Sequence, residues 1–365
     1  MNSNKIIAGF IGAGGIARSH AYSLNSLKYY YNDIPEIELE AVCSARQDSM
    51  ESFARRFGFG KACDLNGFLS DTKINTVYIL GPNKVHYGHL KAALSMPSVE
   101  RIYLEKPVCS SLEEEEAIRL LVSEYPGKKI QVGFQYLYSS SLREALALWR
   151  SGILGKPIHF DLKYFHSDYL KKEYRDKRGN RLTPAPDGGA MADLGSHIIS
   201  MLIAFFGNSI EIKGALQAGQ FEDVPAGSDL FSQIMLYDKA SGAVGSLSAS
   251  RISSGTGDDI VIEIYAEKGS LRYSSATADY FEYFTEESGT WIRKMVGSNY
   301  KPVTSFPSGH VPPGWLRAMV HAHYVFLTGS KNELIVPGIE HGLAVQRIVR
   351  ETADHLKTFR SSAGR

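Results

Sequence analysis

The chain is poor in cysteine and has almost no excess of charge of either sign. Its 365 residues include three cysteines, 40 basic residues and 39 acidic residues, which give a formal net charge of +1. Cys43, Cys63 and Cys109 lack the spacing of a zinc site or a disulfide framework, so we expect reduced thiols and no metal centre. The balanced charge argues against binding to nucleic acid or to a membrane surface, because both usually require a basic excess.

Long hydrophobic runs are also missing. No stretch approaches the roughly 18 apolar residues that cross a bilayer, and the opening segment MNSNKIIAGF lacks the apolar region of a signal peptide. These absences predict a cytoplasmic protein without a membrane span. A chain of 365 residues is longer than one hydrophobic core usually serves, so two domains are expected.

What the sequence does contain begins with a glycine-rich turn. The apolar run IIAGFI at residues 6–11 is typical of a buried strand, and the pattern G-x-G-x-x-A and a segment of helical composition follow it. In a dinucleotide-binding turn the first glycine permits the tight bend and the second lets the backbone approach the pyrophosphate. The small last residue keeps the helix close to the strand, and the helix N-terminus attracts phosphate. A glycine turn without a ligand is the alternative. The predicted phosphate-binding residues are Gly12, Gly14, Gly15, Ile16 and Ala17.

Strands and helices alternate through the first third of the chain. Further strands are predicted in the segments IELEAVCSA, TVYILG, RIYLEK and KKIQVGFQY, with helical segments between them. This alternation predicts an α/β domain over residues 1–135, with a doubly wound parallel sheet of the Rossmann type. In such a sheet the ligand lies at the carboxyl ends of the strands.

The end of the second predicted strand bears on the choice of dinucleotide. An NAD site usually places an acid there to bind the ribose 2′-hydroxyl. This chain instead has Ser44 and Arg46, and its first acid is Asp48. A hydroxyl and a guanidinium suit a 2′-phosphate better, so we expect NADP or NAD as the cofactor, with a preference for NADP. The alternative is that Arg46 is a solvated loop residue.

A lysine follows the predicted strand RIYL. Glu105 and Lys106 precede Pro107, which disfavours helical backbone at Lys106 and directs its side chain away from the strand axis. A lysine at the carboxyl end of a central strand is placed to donate to a substrate oxygen and to stabilise negative charge on it. Taken alone, this tripeptide is more often an exposed strand end.

The segment GGAMADLGSHIIS at residues 188–200 combines an acid and an imidazole with glycines. On a helix, Asp193 and His197 would be i and i+4 neighbours on one face. Asp193 would then orient the substrate and His197, whose imidazole is suited to accept a proton near neutral pH. We interpret Gly188, Gly189 and Gly195 as leaving this face open for cofactor and substrate. The alternative is that Asp193 caps the helix and that His197 lies in the core.

The pattern changes near residue 136. The segments KPIHFDLKYF, SQIMLYD, AVGSLSASR, IVIEIYA and SLRYSS read as strands separated by short glycine-containing turns. They predict an α+β domain over residues 136–365 with an open, mainly antiparallel sheet. Its closing helix is amphipathic and is able to pack back on the first domain.

The order of these motifs resembles the Gfo/Idh/MocA oxidoreductase family. The glycine turn, a loop with Pro82, Asn83 and His86, the EKP tripeptide and the D-x-G-x-H segment occur in the family's order over nearly the whole chain. The resemblance implies an NAD(P)-dependent enzyme that acts on sugars or on polyols such as inositols. It also implies homodimers or homotetramers formed through the C-terminal sheet.

The resemblance assigns roles to individual residues. Lys106 matches the family lysine that contacts the nicotinamide end and the substrate hydroxyl. Asp193 and His197 match the acid and the imidazole of the active site, with His197 as the proton acceptor. The expected cofactor-binding residues are Gly12, Gly14, Gly15, Ile16, Ala17, Ser44, Arg46, Pro82, Asn83, His86, Glu105 and Lys106.

Two positions depart from the family pattern. Ser200 stands where members often have an acid, three residues after the histidine, and Leu137 stands where they often have an arginine. Both positions are expected near the substrate. The departures leave the type of chemistry unchanged and leave the identity of the substrate open.

These observations together predict a reversible dehydrogenase or reductase. It would transfer a hydride between nicotinamide C4 and a carbinol carbon of a sugar or cyclic polyol. Two other classes of protein are alternatives: a regulator of the same fold that binds NAD(P) without turnover, and a methyltransferase with a glycine-rich first turn. A regulator has no need of a proton acceptor such as His197, and the EKP strand end disfavours a methyltransferase.

Overall fold

The computed structural model describes residues 5–31, 34–183, 188–219, 221–296, 313–329 and 333–363. The chain divides into two compact units. The first unit comprises Met1–Gln135 and Met319–Leu343, and the second comprises Tyr136–Ala318 and Ala344–Arg365. A segment late in the sequence therefore belongs to the first unit. In the described part of the chain, no helix is both long and apolar enough to cross a membrane.

The first unit is built on a parallel sheet. Its strands are β1 (Lys5–Ile11), β2 (Glu36–Cys43), β3 (Lys61–Ala62), β4 (Thr76–Ile79), β5 (Arg101–Leu104) and β6 (Lys129–Val132). They lie in the order β3-β2-β1-β4-β5-β6, and each neighbouring pair is parallel. This is the strand order of doubly wound dinucleotide-binding folds. The sequence-based prediction of a Rossmann-type sheet is confirmed.

Helices connect these strands. They are α1 (Gly15–Tyr30), α2 (Gln47–Phe57), α3 (Leu65–Leu69), α4 (His86–Ser95) and α5 (Leu112–Ser123). In α2 the buried side chains are Met50, Phe53 and Ala54, whose spacing of three to four residues is that of one helix face. Every residue of β4 is buried, as expected for a strand covered on both sides of the sheet.

The second unit contains a larger sheet. Its strands are β7 (Pro157–Phe165), β8 (Ile210–Ala218), β9 (Phe231–Asp238), β10 (Val244–Ser250), β11 (Asp259–Ala266), β12 (Gly269–Ser274), β13 (Tyr280–Thr285) and β14 (Thr290–Met295). The order is β14-β13-β12-β11-β7-β10-β9-β8. Only β7 and β10 pair in parallel, and the other pairs are antiparallel. A mainly antiparallel second sheet was predicted, and it is confirmed.

One face of this second sheet is covered and the other is open. Along β7, Phe160, Leu162 and Tyr164 are buried, whereas Asp161 and Lys163 between them are exposed. The covered face receives α8 (Ser196–Phe206), which contacts β7 and is buried along nearly its whole length. The remaining helices are α6 (Ser140–Arg150), α7 (Lys172–Lys177), α9 (Pro313–Thr328) and α10 (Ile339–Ala363).

Among the described residues, four strands lie outside the segments that the sequence pattern predicted. They are β3, β8, β13 and β14. β3 has only two residues, which is too short to show any periodicity. β14 is exposed at all but one position, so the alternation that identifies a half-buried strand is absent.

Gly9 in β1 offers a test of the packing between sheet and helix in the first unit. A Cβ at this position would lie 2.6 Å from the ring of Phe68 and 2.9 Å from Ile74. We expect Gly9→Ala to lower the free energy of unfolding by about 1–3 kcal/mol through overpacking. The control is Gly88→Ala in α4, where a Cβ would meet no atom within 4 Å. That substitution should raise stability by roughly 0.5–1 kcal/mol. Thermal unfolding of both variants checks this, and equal shifts would contradict the packing argument.

Candidate active site

The glycine-rich turn between β1 and α1 has the geometry of a phosphate cradle. Gly12 has φ of 125°, and a Cβ there would lie 2.8 Å from the carbonyl carbon of Leu80, so only glycine fits. At Gly14 and Gly15 a Cβ would meet no atom within 4 Å. Ala17 is fully buried against the sheet. The N-terminus of α1 has no side-chain cap, which leaves its backbone N–H groups available to an anion. The pyrophosphate of a dinucleotide fits this turn.

The adenosine end of the predicted cofactor site lies after β2. Ser44 is partly buried, and its backbone N–H donates to the sulfur of Met50 at 3.2 Å. Arg46 is exposed and precedes the first turn of α2. No carboxylate stands between the end of β2 and the start of α2, because Asp48 is already within the helix.

The loop after β4 holds three of the predicted cofactor-binding residues. Pro82 is exposed, and Asn83 and His86 are buried. The Nδ1 of His86 lies 2.6 Å from the carbonyl oxygen of Pro107, and its Nε2 lies 2.9 Å from that of Gly81. His86 therefore ties the loop after β4 to the turn after β5.

Lys106 follows β5 at the same edge of the sheet and is partly exposed. The preceding Glu105 is buried, and its carboxylate is fixed on both oxygens. One oxygen lies 2.8 Å from Nε2 of His20, and the other accepts the backbone N–H of Lys106 at 3.2 Å. The contacts of Glu105 are those of a residue that holds the Lys106 turn. The prediction that it contacts the cofactor stays a prediction.

Sequence reasoning missed the partners of Glu105. His20 lies on α1 and contacts His323 on α9, which in turn contacts Tyr78 on β4. A signal for His20 was present, because it falls on the buried face of α1 with Ala17, Ala21 and Leu24, where a polar residue needs a partner. His323 carries the same signal on α9, where it is buried with Met319, Ala322 and Phe326, but neither position identifies its partner in the sequence.

The Asp193 segment differs from the expected α-helix. Met191–Gly195 form a π-helix that leads directly into α8. Asp193 does not cap that helix. One carboxylate oxygen lies 2.8 Å from a guanidinium nitrogen of Arg181, and the other lies 2.8 Å from one of Arg251. Arg251 is fully buried. Two arginines thus hold the Asp193 carboxylate in place.

The arginine cluster includes an uncharged histidine. Burial lowers the pKa of His166 to about 4, against the opposing charge of Asp168. His166 is therefore neutral near pH 7 and adds no charge to the cluster. Arg251 also stacks on the ring of Tyr169, with its guanidinium carbon 4.7 Å from the ring centre.

Glycine is required at positions 188, 189 and 195 for a different reason from the one that the sequence indicated. A Cβ on Gly188 would lie 2.3 Å from the carbonyl oxygen of Thr183, and one on Gly195 would lie 2.3 Å from the sulfur of Met191. Gly189 has φ of 93°, and its Cβ would meet the carboxylate of Asp229. The space that these glycines leave is filled by the protein's own atoms rather than by a ligand. The expectation of an open face for cofactor and substrate was wrong for these three positions.

His197 is buried among aromatic rings in the second unit. Its ring is edge-on to Tyr136, with centres 5.1 Å apart, and lies 6.0 Å from that of Tyr164. The hydroxyl groups of Tyr136 and Tyr164 are 3.1 Å apart, and Tyr164 donates to Asp258 at 2.9 Å. Leu137 and Ser200 are also buried. These tyrosines were not predicted as site residues.

The predicted residues fall into two groups. The phosphate turn, the loop after β4 and the Lys106 turn lie together at one edge of the first unit's sheet. Asp193 and His197 lie in the second unit, in the π-helix and in α8. The fold and the glycine turn of the first unit define a dinucleotide-binding protein.

Comparison with known proteins gives the family. Residues 6–134 match the model of the GFO/IDH/MocA oxidoreductase family with an NAD-binding Rossmann fold, and residues 142–272 match the model of the GFO/IDH/MocA C-terminal domain. The chain belongs to this oxidoreductase family. The predictions of the family, of an oxidoreductase and of the fold class are confirmed.

Several curated relatives are dehydrogenases. Glucose-6-phosphate 3-dehydrogenase of Bacillus subtilis is 30% identical over 201 residues, which cover 54% of this chain and 53% of that protein. Levoglucosan dehydrogenase of Pseudarthrobacter phenanthrenivorans is 24% identical over 74% of each chain. The NAD-dependent scyllo-inositol 2-dehydrogenase of Bacillus subtilis is 28% identical over 70% of this chain and 72% of its own. The match thus spans about half the length of the first of these relatives.

Solved structures share the fold. Levoglucosan dehydrogenase in complex with NADH and levoglucosan superposes with a TM-score of 0.83 at 20% sequence identity. An oxidoreductase domain protein from Kribbella flavida gives a TM-score of 0.81, also at 20% identity. Each comparison covers 97% of both chains. At this level of identity the likeness establishes the fold.

Proposed function

We propose that this oxidoreductase is an NAD(P)-dependent dehydrogenase that acts on a secondary hydroxyl of a sugar or cyclic polyol, in a reversible reaction. The observation that carries the proposal is the placement of Lys106. It follows β5 at the carboxyl edge of the dinucleotide-binding sheet. Its neighbours in the sequence are both held by hydrogen bonds, Glu105 by His20 and the carbonyl oxygen of Pro107 by His86. A cation held at this edge suits the stabilisation of a developing alkoxide.

The relatives support this substrate class. By their names they are dehydrogenases of glucose-6-phosphate, levoglucosan and scyllo-inositol. These compounds are a sugar phosphate, an anhydrosugar and a cyclic polyol, so a ring that bears secondary hydroxyl groups is the feature they share.

Each proposed catalytic or substrate-binding residue has a separate role in the reaction. When bound, the nicotinamide ring supplies hydride donor or acceptor chemistry at its C4. The ammonium group of Lys106 donates a hydrogen bond to the substrate oxygen and stabilises negative charge on it. The imidazole of His197 takes the hydroxyl proton and returns it in the reverse reaction. Asp193, fixed by two arginines, orients the substrate from the turn that leads to His197.

Substitution of the two proposed catalytic side chains tests this assignment. Lys106→Ala and His197→Ala should each lower kcat by about 10²–10⁴-fold, because each removes a group that acts on the substrate oxygen or its proton. The dissociation constant for the reduced dinucleotide should stay within a few-fold. Steady-state kinetics and fluorescence titration measure the two quantities.

The matched controls are Lys91→Ala and His355→Ala, which replace exposed residues of the same two types. Both should behave like the unaltered protein. Near-normal turnover in Lys106→Ala or His197→Ala would remove that residue from its role. Binding of the dinucleotide without turnover of any sugar or inositol would instead support a regulator.

We further propose that the dinucleotide is NADP in preference to NAD. The support is the end of β2, where partly buried Ser44 and exposed Arg46 stand in place of an acid. Arg46→Ala should weaken NADPH binding roughly tenfold more than NADH binding, since the guanidinium would pair with the 2′-phosphate. Fluorescence titrations with both cofactors measure this ratio. Arg55→Ala, which replaces an exposed arginine on α2, the helix that follows Arg46, is the control. Equal losses for the two cofactors in Arg46→Ala would contradict the assignment.

We propose that the first unit binds the dinucleotide in the cytoplasm, while the second holds the substrate and assembles a homodimer or homotetramer. Support for the assembly comes from the open face of the second sheet. There, large apolar side chains are exposed on several strands, an arrangement typical of an interface. They are Leu216, Met235, Val244, Trp291 and Met295. Analytical ultracentrifugation should show a multiple of 40.3 kDa. A Met235→Lys variant should shift the equilibrium toward the monomer, and a monomeric unaltered protein would contradict the proposal.

A further inference from the structure

A chain of buried hydrogen bonds ends at the residue before Lys106. The hydroxyl of Tyr78 lies 3.1 Å from Nδ1 of His323, and Nε2 of His323 lies 2.9 Å from Nδ1 of His20. Nε2 of His20 lies 2.8 Å from the Glu105 carboxylate. Tyr78, His20 and His323 have no exposed surface, and Glu105 is 5% exposed. Four groups, from β4, the turn after β5, α1 and α9, thus satisfy one another inside the first unit.

With Glu105 ionised and both imidazole rings neutral, the hydrogen-bond chain allows one assignment of donors and acceptors. A carboxylate only accepts, so His20 must carry its proton on Nε2. Nδ1 of His20 then accepts, which requires a proton on Nε2 of His323. Nδ1 of His323 in turn accepts from the hydroxyl of Tyr78. Every donor points toward Glu105, and such a chain of bonds reinforces itself.

Packing around the rings supports this assignment. Tyr103 stacks on His323 with ring centres 5.2 Å apart and on Tyr78 at 5.5 Å. Burial and the neighbouring His20 hold the pKa of His323 well below its usual value, which keeps that ring neutral. Tyr103 also lies edge-on to His20, with ring centres 5.1 Å apart, so both imidazole rings are confined in position as well as in hydrogen bonding.

At its Glu105 end, the hydrogen-bond chain contacts the turn that carries Lys106. Glu105 accepts the backbone N–H of Lys106 on its second oxygen. A Cβ at Gly133 would lie 2.8 Å from the first oxygen, so the carboxylate fills the space that the glycine leaves. A displaced carboxylate would release the Lys106 backbone, and the lysine would lose its defined position.

We propose that Tyr78, His323 and His20 are positioning residues that orient Glu105 and, through it, Lys106. The proposal rests on the catalytic role of Lys106 proposed above. A misplacement of about 1 Å, caused by a mutation far from the reacting atoms, can lower activity by roughly 10²-fold. His323 is the informative member, because it touches neither Lys106 nor the phosphate turn yet supplies the proton that orients His20.

His323→Phe tests the inference, because it keeps an aromatic ring and removes both nitrogens. We expect kcat per NAD(P)H-binding site to fall about tenfold or more, with the dissociation constant for NAD(P)H changed less than threefold. His323→Gln retains an amide donor in place of Nε2 and should recover most of the lost kcat. Tyr78→Phe removes only the last hydroxyl and should have the smallest effect.

Gly133→Ala is a second test of the inference, and it leaves both histidines unchanged. The added methyl displaces the Glu105 carboxylate, and kcat should fall again without loss of dinucleotide affinity. Gly88→Ala, which meets no atom within 4 Å, is the matched control and should leave kcat unchanged. Because this variant does not touch the histidines, it tests the inference even if His323→Phe fails to fold.

Nitrogen NMR of histidine-labelled protein gives a readout that does not depend on activity. Both His20 and His323 should show the Nε2–H tautomer in the unaltered protein. A proton on Nδ1 of neutral His323 would overturn the proposed order. Normal kcat in both His323→Phe and Gly133→Ala, with Lys106→Ala inactive, would overturn the positioning role alone. An active Lys106→Ala variant would overturn the proposed function itself.

Discussion

The buried carboxylate of Glu105 is the constraint on which the candidate site of the first unit depends. An ionised carboxylate without partners inside a protein is very costly, so its partners must be in place whenever the unit is folded. Its side-chain partner, His20, lies on α1 and is in turn held by His323 of α9, which contacts Tyr78 of β4. The helix that begins at the phosphate turn and the strand end that carries Lys106 are thereby joined through side chains as well as through the sheet.

The second unit also contains a buried charged group with hydrogen-bond partners, but there the buried charge is positive. There the fully buried group is Arg251, a cation, and Asp193 and the carbonyl oxygen of Arg181 accept its hydrogen bonds. In both units a predicted site residue is thus an anchor point of a buried polar network. Buried networks of this kind lose much of their stability when one member is removed, because the remaining groups are left unsatisfied. Site geometry and fold stability are therefore coupled in each unit.

Much of this arrangement could be predicted from the sequence, because the signals are local. The strand, the glycine turn and the helix at residues 6–30 follow one another directly, and Gly12 has the positive φ that its role requires. The EKP turn and the alternating strands of the second unit are local as well. By contrast, His323 lies 303 residues from His20, and no pattern links the two positions. The reason for the glycines around Asp193 could not be predicted, because their neighbours Thr183, Asp229 and Met191 approach them only in the folded chain.

The late segment Met319–Leu343 has a consequence for how the protein is made. It belongs to the first unit, although nearly the whole second unit precedes it in the chain. A ribosome adds about 5–20 residues per second, so the 183 residues between the two parts take on the order of 10–40 s to synthesise. During that interval the nascent first unit has His20 and Glu105 but no His323. Completion of the hydrogen-bond chain behind Lys106 therefore has to await the emergence of α9, which carries His323.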